Sequence, residues 1–208
     1  IRLLDTNHCA VRIQERGLYK TVRSVLSLRP NSEKRVYYEF FFFKQETGGG
    51  VCVGLSTKEL PLNCLCGARP NSIGFSTSGY LVRTVDGKDS WENFGPDLAS
   101  GCTIGCLTSV KKLTKEDSGS KTMVKSMIEF FVDGVSRGSV EYDFVGDLEV
   151  YPTLSLFAKN AQVYSLFSGQ DMLFAAALPQ GEDIHTLDGQ SIQRDAANTP
   201  KSLGLAAR

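Results

Sequence analysis

The sequence predicts an all-β chain, an antiparallel two-sheet bent β-sandwich, on three observations. Strand-sized apolar runs recur along the chain, separated by turns rich in Gly, Pro, Asn and Asp. Arg35–Lys44 (RVYYEFFFFK) is rich in aromatic residues and reads as the strongest strand. No internal segment makes a credible helix, and Asp133-Gly134 between two β-rich runs is a strong hairpin signal.

The elements follow in order. Between Ile1 and Leu28, short apolar clusters punctuated by Asp5-Thr6-Asn7 and Arg16-Gly17 predict two or three short strands. A helix over Val11–Leu26 competes, but Gly17 and the β-branched residues weigh against it. Pro30-Asn31-Ser32 makes a turn. In Arg35–Lys44, Val36, Tyr38, Phe40 and Phe42 share one face, and Tyr37, Glu39, Phe41 and Phe43 share the other. Both faces are largely apolar, so something must cover the outer one, and a terminal segment is the expected cover. Gln45–Gly50 is a loop, Val51–Leu55 a buried strand, and Ser56–Asn71 a long connection.

Ser72–Cys106 organises the chain. It reads as a short strand, a loop, an irregular excursion with the only Trp, a Phe94-Gly95-Pro96 turn and a strand entered through Gly101. Strands follow at Thr103–Leu113, Lys125–Val132, Val135–Val140, Val150–Phe157 and Ala161–Phe167, with a polar loop at Thr114–Lys121. Residues 1–178 form the predicted sandwich, and 179–208 are a tail that serves as a linker or a wrapping arm.

Composition excludes several function classes. The chain has 208 residues, 41% of them apolar, enough for one domain with a sizeable core. With 23 basic against 23 acidic residues, it lacks the electrostatic footprint expected for nucleic acid or an anionic membrane. No apolar run reaches the ~20 residues needed to span a bilayer. The chain opens on Ile1 rather than Met, as a fragment of a larger protein would. Six irregularly spaced cysteines and the absence of an Asn-x-Ser/Thr acceptor point to an intracellular, reduced protein.

Catalytic and metal signals are weak. His8 and His185 lie near opposite ends, and neither sits in a motif. Gly74-Phe75-Ser76-Thr77-Ser78 lacks the final Gly and the following helix of a nucleophile elbow. Gly87-Lys88-Asp89 lacks the spacing of a phosphate loop. Cys64-x-Cys66 and Cys102-x-x-x-Cys106 lack the spacing of zinc ligand pairs. Buried thiols are expected of the second pair, while a reactive thiol stays open for the first. The expectation is no enzyme, no cofactor and no metal.

Several short motifs occur in a fixed order: Thr21-Val22-Arg23-Ser24, Val36–Phe40 (VYYEF), Val53-Gly54-Leu55-Ser56, Ser72-Ile73-Gly74-Phe75 followed by Gly79, Phe94-Gly95-Pro96, Gly101–Cys106, Ile128–Gly134 and Tyr151-Pro152-Thr153-Leu154. This ordered set resembles the SPRY domain, a β-sandwich module of ubiquitin-ligase adaptors, tripartite-motif proteins, ryanodine receptors and chromatin-complex subunits. Departures are Cys102 where the family usually has Asp, Asp133 for Asn, Phe75 for Tyr, and a longer Thr114–Ser126 hairpin. The resemblance implies a concanavalin-like jelly roll whose loops at one end grip short extended peptides. It places Thr47, Gly48, Gly49, Phe75, Ser76, Thr77, Ser78, Gly79, Phe157, Ala158 and Lys159 at contact positions. In adaptor-type members the position of Phe75 is an aromatic packed on the peptide. In the chromatin-complex member the position of Ser76 is an Arg in a basic pocket.

Read from the residues, Phe75 or Trp91 supplies an apolar anchor, and Arg23, Arg69 or Arg83 an acid-binding cation. Phe75 alternates inward with Ile73, so a core role stays equally open. Trp91 as a cap on the sandwich and the arginines as solvated or locally paired groups stay open too. The expected function is a protein-interaction module for a protein or short peptide partner, monomeric as an isolated domain. A carbohydrate-binding lectin-like sandwich and a purely structural packing domain are the alternatives.

Overall fold

Alternation along Arg35–Lys44 sets the layers: Tyr38, Phe40 and Phe42 enter the central core, while Tyr37 packs in a separate cluster on the opposite face. The computed structural model describes residues 2–4, 9–12, 19–28, 30, 34–44, 50–113, 123–146 and 149–192. The predicted loops at 45–49 and 114–121, and the turn residues 31–32, lie outside the described residues.

The first half carries β1 (Arg2–Leu4), β2 (Cys9–Val11), β3 (Lys20–Arg23), β4 (Arg35–Lys44), β5 (Val51–Ser56), β6 (Ser72–Ser76), β7 (Tyr80–Val85) and β8 (Lys88–Asn93). The second half carries β9 (Thr103–Leu113), β10 (Met123–Val132), β11 (Val135–Val145), β12 (Tyr151–Leu156), β13 (Gln162–Leu166), a short 3-10 turn (Ala175–Ala177) and β14 (Ile184–His185). One sheet runs β1-β2-β13-β4-β9-β10-β11, with β14 alongside β4; the other runs β3-β12-β5-β6-β7-β8. All pairings are antiparallel except β14 with β4. The predicted short strands of the first 28 residues are thus present, and the competing helix gives way to β3.

The irregular excursion expected around Trp91 is instead the β7–β8 hairpin. Its turn is Asp86-Gly87, with φ of 49° and 74°. Asp133-Gly134, with φ of 49° and 77°, turns β10 into β11 in the same way. Positive φ at both central residues matches the right-handed twist of the flanking strands. The dipeptide at 86–87 carries the same signal as the one at 133–134.

Val53, Leu55, Ile73, Phe75, Ile104, Ile128, Phe130, Leu154 and Leu156 fill the space between the sheets. Each large apolar side chain buried there contributes roughly 1.5–3 kcal/mol.

The chain covers part of each outer face itself. On the β4 sheet, Met172, Leu178 and Ile184 pack over Tyr37, Leu107 and Phe131. Glu39, also buried there, accepts hydrogen bonds from Leu173 N (2.7 Å), Phe174 N (2.8 Å) and the Tyr37 hydroxyl (2.9 Å). Burial pushes its carboxyl above the usual range, and those three donors pull the other way. Ile184-His185 then pairs with Arg35-Val36, and Arg35 meets Glu129 and Glu182. The expected terminal cover is therefore residues 168–192. Packing on this face continues from Met172 to Ile184.

On the other sheet, residues 57–71 lie across the outer face. Thr21 Oγ1 donates to Cys64 O (2.5 Å), Cys66 N to Ser155 Oγ (2.9 Å), and Gly67 N to Ser72 Oγ (2.9 Å). The outward residues beneath are small or hydroxylated: Cys52, Gly54, Ser56, Ser72, Gly74, Thr153 and Ser155. A Cβ at Gly67, where φ is +96°, would run into the carbonyl of Val82. Small side chains let the covering segment come close enough to bond them.

Candidate functional site

The registers gather one set of loops at one end of the sandwich. There β5 starts, β6 and β12 end, β7 starts and β8 ends. In the facing sheet β4 ends and β9 starts at the same end.

Backbone bonds tie these loops to one another. Thr77 N donates to Val51 O (2.8 Å), and Val51 N returns to Thr77 Oγ1 (3.1 Å). Leu98 N donates to Thr77 O (2.7 Å), Phe94 N to Gly79 O (2.8 Å), and Phe157 N to Gly50 O (3.1 Å). Asp133 joins from the facing sheet: its N donates to Thr103 O (3.0 Å), and its Oδ1 accepts Thr103 N (2.8 Å). At Gly79, φ is +79° and a Cβ would strike the Gly95 carbonyl, so only glycine fits the crossing. Surface loops pinned in this way present a preorganised surface.

The expected contact residues divide. Phe75 is fully buried, with its ring 5.4 Å from Phe94 and 5.5 Å from Phe130. The structure decides for the core reading and corrects Phe75 as a surface anchor: β6 alternation points it between the sheets with Ile73. Ala158 is buried for the same reason of packing and joins the central core. Ser76 and Thr77 are nearly buried, Ser76 in a 2.8 Å hydroxyl contact with Ser78 and Thr77 in the loop bonds above. Ser78 is exposed, and Phe157 and Lys159 are half-buried. Thr47, Gly48 and Gly49 lie outside the described residues.

None of the three arginines reaches this end. Arg23 sits where β3 finishes, and its Nη1 donates to the carbonyls of Leu60 (2.7 Å) and Thr57 (3.3 Å). Arg83 holds Glu92 Oε1 through Nε (2.9 Å) and Nη2 (2.7 Å). Arg69 is exposed, close before the start of β6. Among the described residues, the cations at the loop end include Lys20, Lys44 and Lys159, and the buried Arg12, whose Nη1 donates to Leu156 O (2.6 Å).

The aromatic surface is Trp91 with Tyr80, 47% and 41% exposed, their rings edge to face at 6.3 Å. Tyr19 stacks near Phe157 at 4.9 Å beside Gly50. Tyr80 and Tyr19 were missed from sequence. Tyr80 had a signal, since it follows the turn glycine and alternates outward from Leu81; Tyr19 had none.

Of the two cysteines left open as reactive thiols, Cys66 is buried and Cys64 is half-buried. All six cysteines are free. Burial, and then Asp133 beside it, pushes Cys102 up to about 12, and burial raises Cys52, Cys66 and Cys106 as well. Among the described residues, no group of three or more His, Cys, Asp or Glu is arranged to hold a metal.

No protein-family model matches the chain. A dual specificity protein kinase, splA, of Dictyostelium discoideum is 27% identical over 169 residues, covering 81% of this chain and only 6% of the kinase. Three solved structures are similar in fold. A human SPRY domain superposes with a TM-score of 0.62 at 19% identity, covering 79% of this chain and 93% of that one. The human HERC1 SPRY domain gives 0.51 at 14%, covering 78% and 96%, and the TRIM65 PSpry domain 0.51 at 13%, covering 80% and 83%. Two antiparallel sheets, the ordered motifs and these neighbours agree: the chain has the SPRY-type sandwich fold.

Proposed function

We propose that the chain is a non-enzymatic protein-interaction module whose loop end takes a short extended peptide or a loop of a partner protein. The observation that carries this reading is the exposed Tyr80–Trp91 pair beside loops pinned by the Thr77, Gly79 and Gly50 backbone bonds. A rigid surface loses little conformational entropy on binding, and exposed Trp and Tyr are the residue types most often found as anchors. Lys20, Lys44 and Lys159 supply the positive charge, in place of the arginines expected from sequence. The free thiols suit a reducing, intracellular setting, which belongs to the same proposal.

The carbohydrate reading needs a bare polar sheet face. The outer face of β4 instead carries Tyr37 and Glu39 under residues 168–192, and a Phe41–Phe43–Tyr164 cluster.

The test is a displayed peptide library panned on the chain, with enriched peptides titrated against Trp91→Ala and Tyr80→Ala. Binding weakened tenfold or more, with unchanged urea unfolding, supports the loop end. Equal binding by both variants sinks it.

A further inference from the structure

The two sheets separate along the flank bordered by β3 and β13, away from the loop end. A cleft of about 460 Å³ opens there, within the size range that holds a ligand or a few side chains. Its floor is apolar: Phe40, Leu154 and Ala10 are buried core residues. Its mouth is also apolar, and exposed: Leu3 is 47%, Val25 95% and Leu26 44% accessible. Apolar side chains left in water around an apolar cleft mark an interaction site more than scattered ones do.

Two carboxylates stand against one cation in the lining. Asp171 and Asp188 line it from the covering tail. Arg23 is the one cation among the lining residues, and its Nη1 is held by the carbonyls of Thr57 and Leu60. Asp188 accepts the Thr186 hydroxyl. The cleft therefore offers an apolar floor next to carboxylates.

We propose that this flank cleft is a second docking site, taking a partner peptide in which a bulky apolar residue is followed by lysine or arginine. The apolar side chain fills the space over Phe40 and Leu154, and the cation lies against Asp171 and Asp188. A ligand contained within the cavity would leave Val25 and Leu26 in water, whereas a peptide crossing the mouth covers them.

The experiment pans a displayed random-peptide library on the 208-residue chain. Enriched peptides are titrated by fluorescence anisotropy against wild type, Asp171→Lys with Asp188→Lys, Val25→Asp and Trp91→Ala. The proposal expects an apolar–basic family whose Kd rises at least tenfold in the first two variants and stays within twofold in Trp91→Ala. Should the lysine pair unfold the chain, Asp171→Asn with Asp188→Asn keeps the side-chain shape and removes the charge. A library that yields no peptide with the apolar–basic pair, or apolar–basic peptides that bind the charge variants as tightly as wild type, overturns the proposal. Sedimentation that shows wild type pairing with itself and Val25→Asp monomeric also overturns it, because the occupant is then a second copy. Apolar–basic peptides that lose binding only in Trp91→Ala overturn it too and belong to the loop end.

Discussion

Replacing Phe75 by alanine removes a ring that has no exposure and lies against two others, Phe94 at 5.4 Å and Phe130 at 5.5 Å. Truncating a buried Phe typically costs about 3–5 kcal/mol, because apolar burial is lost and a cavity remains. The two ring pairs, edge to face with Phe94 and tilted with Phe130, are worth about 0.5–1.5 kcal/mol each and place this site in the upper half of that range. For a chain of this size the loss lowers Tm by about 6–20 °C. Phe75→Leu keeps most of the apolar volume but forfeits the ring pairs, and should cost about 1–3 kcal/mol. Urea unfolding followed by far-UV circular dichroism measures both, with an unchanged denaturant slope showing that the native state is still compact. Alanine costing less than about 1 kcal/mol, with peptide binding weakened, would refute the reasoning and put the ring at the surface.

Glu39→Ala leaves Leu173 N, Phe174 N and the Tyr37 hydroxyl without their acceptor; the expected loss is about 2–4 kcal/mol, with amide exchange accelerating first at 173 and 174. Glu39 also gives a pH signature. Its folded pKa is raised, so the folded state holds the proton more tightly than the unfolded one. That contribution is present in full below the unfolded value near 4.5 and is lost as pH rises through the folded value. Wild type should therefore lose stability relative to Glu39→Gln as pH rises from about 4.5 through the folded value in parallel urea titrations, and a flat difference contradicts the burial argument. Thiol labelling of the native chain should modify Cys64 first and Cys102 slowly, with Cys9, Cys52, Cys66 and Cys106 reacting only on unfolding; mass spectrometry of timed samples reads the order.

Much of the fold was legible in sequence because strand alternation and turn chemistry are local. Val36–Phe43 revealed two apolar faces, and with them the need for an outer cover. Asp133-Gly134 located one hairpin, and Asp86-Gly87, the same dipeptide type, located another that went unread because charged residues and a lone Trp obscure the short strand after it. The site was less legible. Ile73–Phe75 alternation left Phe75 open between core and surface, since period two says that two faces differ but not which one meets solvent.

What the sequence by itself determined is the class of structure: strand-forming segments, their turns, and an order of motifs that matches one sandwich fold. What only tertiary structure decided is who meets whom. Residues 168–192 cover β4, Arg23 serves the carbonyls of Thr57 and Leu60, and Tyr80 joins Trp91 at the pinned loop end. The first two outcomes rest on registers between segments far apart in the chain, Ile184 beside Arg35 and Leu154 opposite Val22. A register is a property of two segments together, so no single stretch of sequence carries it.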